Sequence, residues 1–175
     1  MMNDTLTKVD TETLEVVDVY GFRDGVRPFD FTDNLEKAYV QQSWLHGFVV
    51  LDLNTKEQRI VRLPEPDGGV AEPAFYPHNV NHGILLTHDE SELWCNGSAA
   101  NSLVVYSHPE LEVIAQIPVG TDPNSIQFSK DGAYAYVSNR ASGDLSVIDT
   151  KAKREVKRIS LGKYPQRMAV VTIEE

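Results

Sequence analysis

Apolar and polar positions in this chain alternate over runs of four to seven residues, the period of half-buried strands, and nowhere keep the 3.6-residue period of a long helix. The clearest stretch is Ser125–Leu161. Ser125–Phe128 predicts a strand a, and Lys130-Asp131-Gly132 a tight turn in which glycine supplies the positive φ. Ala133–Ser138 predicts strand b, with aromatic and small residues alternating. A polar loop over Arg140–Asp144 leads to strand c at Leu145–Asp149. The turn Thr150–Arg154 leads to strand d at Glu155–Leu161, β-branched at alternate positions.

The same unit recurs. A gapless shift of 42 residues lays Leu93-Trp94-Cys95 under Ala135-Tyr136-Val137, and Ile117-Pro118-Val119-Gly120 under Ile159-Ser160-Leu161-Gly162. A shift of 97 lays Phe48-Val49-Val50-Leu51-Asp52 under Leu145-Ser146-Val147-Ile148-Asp149. A shift of 139 lays Asp10-Thr11 under Asp149-Thr150. Four-stranded units of about 42 residues are the signature of β-propeller blades, each of which buries its faces only by stacking on neighbours. The fold expected is an all-β propeller made of such blades. It has half a blade at 6–26 and a blade at 27–80 carrying an inserted loop over 64–80. Blades at 81–122 and 123–164 follow, then the first strand of another at 165–175, with Met168–Ile173 as that strand. That makes about three and a half blades, an open arc, where a full ring has seven or eight. A fragment of a larger propeller, or self-association through exposed blade edges, is the expectation that follows.

Ala135-Tyr136-Val137-Ser138-Asn139, Ser142-Gly143-Asp144-Leu145-Ser146-Val147-Ile148-Asp149 and Ile159-Ser160-Leu161-Gly162-Lys163-Tyr164-Pro165 together resemble the YVTN family of β-propeller repeats. The signature is degraded in 81–122, where Trp94-Cys95-Asn96-Gly97 replaces Tyr-Val-Thr-Asn, and looser still in 27–63. The resemblance implies a relative of YncE-like and surface-layer propellers, more distantly of lactonase-like propellers and amine dehydrogenase heavy chains. It implies a periplasmic or extracellular setting for a full-length relative. The fold hosts enzymes and non-enzymes, so it selects no function.

Charge changes the picture of partners. The net charge is −10, which argues against nucleic acid and anionic membranes. No apolar run approaches the roughly 18 residues of a membrane helix, so no membrane insertion is expected. The charge is uneven: residues 1–150 balance at −14 and residues 151–175 at +4. Lys151, Lys153, Arg154, Lys157 and Arg158 read as a solvated strand pair, or as a basic edge for an acidic protein partner. One cysteine, Cys95, excludes an internal disulfide.

Candidate chemistry is sparse. No nucleophile elbow, phosphate-binding glycine loop, EF-hand loop or haem-attachment motif occurs, and no cofactor is expected. His78-x-x-x-His82 has the spacing of two ligands on a helix but no helical pattern around it, so no metal is expected. In a propeller the d–a and b–c loops share one face. The repeat places Arg27, His82, Asn124 and Gln166 at one equivalent d–a position, with Arg167 next to the last. These residues could hold a small anionic or polyhydroxyl ligand at the channel mouth. Asn81 follows Leu63 by 18 positions, where other units advance by six; in this insertion Phe75 and Tyr76 could cap the channel, while Glu72, His78 and His82 could contribute to a ligand site. Trp44 and His46, in a b–c loop, could offer a stacking platform and a polar ring on the same face. Asp10, Asp52 and Asp149 recur at the c–d turn, as turn caps. The reading is a non-enzymatic scaffold or binding module; the alternative is a lactonase-like hydrolase or oxidoreductase-type propeller.

Overall fold

The computed structural model describes residues 4–66, 69 and 80–171, and all of their regular elements but one short 3-10 turn at Ser98–Ala100 are strands. β1 (Thr5–Val9) and β2 (Val16–Gly21) form a two-stranded antiparallel ribbon. Three four-stranded meanders follow. The first contains β3 (Val26–Phe31), β4 (Lys37–Gln42), β5 (Gly47–Asp52) and β6 (Gln58–Arg62). The second contains β7 (Ile84–Leu86), β8 (Glu92–Gly97), β9 (Ser102–Ser107) and β10 (Val113–Pro118). The third contains β11 (Pro123–Phe128), β12 (Tyr134–Asn139), β13 (Asp144–Asp149) and β14 (Arg154–Ser160). Each strand pairs with its sequence neighbour, so each sheet is an a-b-c-d blade, and the blades form an open arc of a propeller. The strand expected over 168–173 is not formed over its described part, 168–171. Among the described residues no strand pairs with it, and an extended segment without a partner has no ladder to join.

The repeat is sharper in backbone geometry than in side chains. Leu14, Lys56, Leu111 and Lys153 occupy one c–d turn position in four successive units, and all have φ between 51° and 64°. Leu35, Glu90 and Gly132 share a positive φ at the a–b turn, where only the last is glycine. Non-glycine residues in this region carry a cost, which persists only where the surroundings over-determine the turn. The surroundings here are carboxylates. Asp52 Oδ1 accepts from the Asn54 and Thr55 amides at 3.0 and 2.9 Å. Asp10 and Asp149 do the same for the two matching amides of their own turns. The turn-cap expectation for all three aspartates is met.

Blades stack through strands that are buried on both faces. In β8, Leu93 and Cys95 enter a cluster with Tyr39, Phe48 and Val50 of the first meander. Trp94, between them, faces the other way, onto Phe128, Ala135 and Ile148 of the third. Strict alternation therefore appears as a continuous buried run in strands b and c, while the d strands β6 and β14 stay largely exposed. Polar groups stitch the same interfaces. The Tyr39 hydroxyl meets His108 Nε2 at 2.7 Å, and His108 Nδ1 donates to the Glu90 carbonyl at 2.6 Å. His108 is thus a clamp between two blades. Lys153 reaches Glu92 at 2.7 Å and sits 5.0 Å over the Trp94 ring. Arg158 pairs with Glu155 in its own strand. Part of the basic C-terminal charge is therefore spent inside the chain, leaving Arg154 and Lys157 on the exposed outer strand.

Cys95 lies in this core, fully buried, with its Sγ 3.0 Å from Gln41 Nε2. Burial pushes its thiol up to about 12, so the nucleophilic thiolate is absent at neutral pH. Native protein should resist iodoacetamide at pH 8 for hours and be labelled at once in 6 M guanidinium. Labelling at equal rates in the two conditions would contradict this packing.

Candidate functional site

The a strands β3, β7 and β11 of successive blades lie against one another, and the residues that open them form the candidate site. Strand a is preceded by a d–a connection whose last residues cannot complete a ladder, so their amides and carbonyls need side-chain partners. Strand b supplies these from one position of the repeat. Gln41 Oε1 accepts from the Gly83 amide of the next blade at 2.7 Å. Asn96 accepts from the His82 amide and donates to the His82 carbonyl, at 3.1 and 3.0 Å. Ser138 Oγ accepts from the Ser125 amide at 3.2 Å and donates to the Gln166 carbonyl at 2.7 Å. The sequence reading missed these three supports. Their signal was a polar residue recurring at one aligned place in otherwise apolar strands.

On this frame the polar groups run from blade to blade. His82 Nδ1 lies 3.1 Å from the Asn124 carbonyl, which only accepts, so the imidazole donates from Nδ1. With the Asn124 amide nitrogen donating to the Gln166 carbonyl at 3.2 Å, its oxygen accepts from Arg140 Nη1 at 3.3 Å and from His82 Nδ1 at 3.2 Å. Arg140 is itself held by a two-pronged pair with Asp122, both contacts 2.8 Å, and both side chains are largely buried. This pair occurs in one unit only, so no repeat comparison could point to it. Gly83 is required here for space: a methyl group on it would fall onto the Asn96 side chain and lie 2.9 Å from the Asn124 carbonyl.

The result is a cavity of about 380 Å³ whose polar lining includes Arg27, His82, Asn124, Ser125, Gln127 and Arg167. Arg27 comes from β3, His82 from the residues before β7, Asn124 from β11, and Arg167 from the segment after β14. Four of the sequence-selected residues thus meet in one cavity, and Gln166 joins through its carbonyl. The pKa of His82 is lowered, first by burial and further by the nearby Arg140 and Arg27 charges, while its bond to Asn124 works the other way. At neutral pH the ring is uncharged, with its proton on Nδ1.

The remaining selected residues lie elsewhere. His46 is buried, with Nδ1 3.2 Å from Asn81 Oδ1 and Nε2 3.2 Å from the Pro64 carbonyl. It orders the d–a connection and is not brought to the cavity. Trp44 is exposed and lines a separate cleft with Arg23, Asp24 and Arg62. His78, Glu72, Phe75 and Tyr76 lie outside the described residues.

A family model for the YNCE-like beta-propeller matches residues 80–174, more than half of the chain. The chain belongs to the YNCE-like β-propeller family. The match covers the second and third meanders, and with them His82, Asn124, Gln166 and Arg167. Among solved structures, Kuenenia stuttgartiensis hydrazine synthase is similar in fold, with a TM-score of 0.74 at 17% identity over 91% of this chain and 44% of that chain. The likeness is one of fold, and this chain spans less than half of that chain's length. No curated protein matches the sequence.

Proposed function

We propose that this YNCE-like chain is a binding module that holds a small anionic, polar ligand against the inner wall of its arc, without a catalytic step of its own. The observation that carries the reading is the convergence of Arg27, Arg167, His82 and Asn124, from three blades and the segment after the last, on one cavity of about 380 Å³. That volume falls within the roughly 300–1,000 Å³ of small-molecule sites. Two guanidiniums give forked donors, and charge-assisted bonds to a carboxylate or phosphate are the stronger class. The wall therefore offers an anion a positive seat on a chain whose net charge is −10.

The test is calorimetric titration with small carboxylates and phosphates at low salt. Arg27→Gln and Arg167→Gln should each weaken binding roughly tenfold, the loss of one charge-assisted bond. Affinity should rise as pH falls from 7 through the lowered pKa of His82, because a bound anion favours the imidazolium. Folding stability follows the opposite sign. The histidine's contribution is present above about pH 6.5 and is lost as pH falls through its lowered folded value. Failure of every anion to bind would overturn the reading. Turnover of a lactone abolished by His82→Phe would replace its non-enzymatic part with the hydrolase alternative. A protein partner held on exposed Arg154 and Lys157 is the companion proposal for the outer strand; such a complex weakens as salt rises.

A further inference from the structure

The ribbon and the three meanders meet at three seams, and the repeat shows what each side of a seam contributes. Toward the following blade, strand b presents an aromatic. Tyr39 lies in the cluster shared by the first and second meanders, and Trp94 in that shared by the second and third. Strand d adds a buried apolar residue, Tyr20 in the ribbon or Ile117 in the second meander. Toward the preceding blade, strand c presents Leu51, Tyr106 or Ile148. The c–d turn then covers the aromatic: Leu111 packs on the cluster of Tyr39, and Lys153 sits over the Trp94 ring. The same residues recur on two sides against which no described blade lies. On the third meander, Tyr136 stands at the position of Tyr39 and Trp94 and is half-buried, while Ile159, at that of Ile117, is 36% exposed. Strand register puts both on one face, with Lys157. On the ribbon, Val9, at the position of Ile148, is 46% exposed, and Leu14, at that of Leu111 and Lys153, is 78% exposed. The two sides are the halves of a fourth seam.

Charge says what completes it. In the first seam, Lys56 of the c–d turn reaches Asp18 of β2 at 2.6 Å. The repeat puts Lys157 in the place of Asp18 and Leu14 in the place of Lys56, with the exposed carboxylates Glu12 and Glu15 beside Leu14. The contact is offered again with its signs exchanged. We infer that a second copy of this chain closes the fourth seam: Val9 and Leu14 of one copy dock on Tyr136 and Ile159 of the other, and Glu12 and Glu15 meet Arg154 and Lys157. Each copy carries both halves, so two copies join twice about a two-fold axis. Four sheets from each then make eight blade positions, a number at which propeller rings close. This rests on the reading of Arg154 and Lys157 as a protein-binding strand and names the partner.

Sedimentation velocity on the unmodified chain at low salt, over roughly 1–100 μM, should show monomer and dimer in equilibrium, with the dimer receding as salt rises. Leu14→Glu changes an exposed turn residue and leaves the packing within one copy untouched. It should weaken the dimer about tenfold or more, the loss of one buried leucine contact. Lys157→Glu should weaken it too, and adding Glu15→Lys should restore it, a recovery that local unfolding does not give. A monomer at every concentration overturns the inference and leaves the outer strand to a different acidic protein. A dimer indifferent to Leu14→Glu overturns it as well, as does open-ended growth beyond two copies. A dimer lost in Leu14→Glu but insensitive to salt and to Lys157→Glu supports the second copy and overturns the charge reading of the outer strand.

Discussion

Asp122→Ala should cost the fold roughly 3–5 kcal/mol, the penalty for stranding one partner of a buried ion pair. Arg140 is held by Asp122 through two 2.8 Å contacts, with side-chain exposures of only 11% and 12%. Removing the carboxylate takes both 2.8 Å contacts from a largely buried guanidinium. The Arg140→Ala, Asp122→Ala double variant should recover much of the loss, since neither charge is then stranded. Denaturant unfolding measures both. The effect should also reach the site, because Arg140 Nη1 holds the Asn124 amide that faces His82 and Gln166. A single variant as stable as the unmodified chain would show that the pair is not structural.

The second large effect is Trp94→Ala, which should remove about 3–5 kcal/mol, the usual cost of truncating a buried aromatic. Trp94 is fully buried between the second and third meanders and meets Phe128 edge to face, with centroids 5.5 Å apart. Its Nε1 donates to Glu92 at 2.8 Å, and Glu92 also holds Lys153 from the next blade. One truncation therefore opens a void and loosens an ion pair across the same seam. In a stacked array, stability is a sum of unit and nearest-neighbour terms. The loss should concentrate at that seam, with residues 123–160 becoming protease-sensitive before the rest. Trp94→Phe, which keeps an aromatic but loses the indole donor, should cost less. Uniform loss of protection along the whole chain would contradict this arrangement.

The architecture was legible because a propeller writes its period into the chain. Aligned apolar triplets such as Leu93-Trp94-Cys95 and Ala135-Tyr136-Val137 placed strand b of two blades correctly, and the recurring aspartates marked the c–d turns. Less legible was what each polar position does. Arg27, His82 and Asn124 were found together because equivalent positions on stacked blades are neighbours in space. His46 was grouped with them by its loop, yet its ring points into the protein, where Asn81 and the Pro64 carbonyl needed partners. Nothing near His108 in the sequence points to the tyrosine 69 positions away that meets it. Pairings of that kind cross between blades and leave no trace at the repeat period. The strand drawn over 168–173 is not formed over its described part, 168–171, for a simpler reason: an alternating pattern states a preference, and a ladder requires a neighbour.

The segment bearing Arg167 is joined to the third meander in a way that sets it apart from the other walls of the cavity. Arg27 and Asn124 ride on laddered strands, whereas among the described residues the Gln166 carbonyl is caught by two side chains, Ser138 and Asn124. Such a tether is weakened by changing one hydroxyl or one amide. Under the proposed binding reading, the blades would set where a ligand lies and this segment how firmly it is gripped. Affinity and placement can evolve separately.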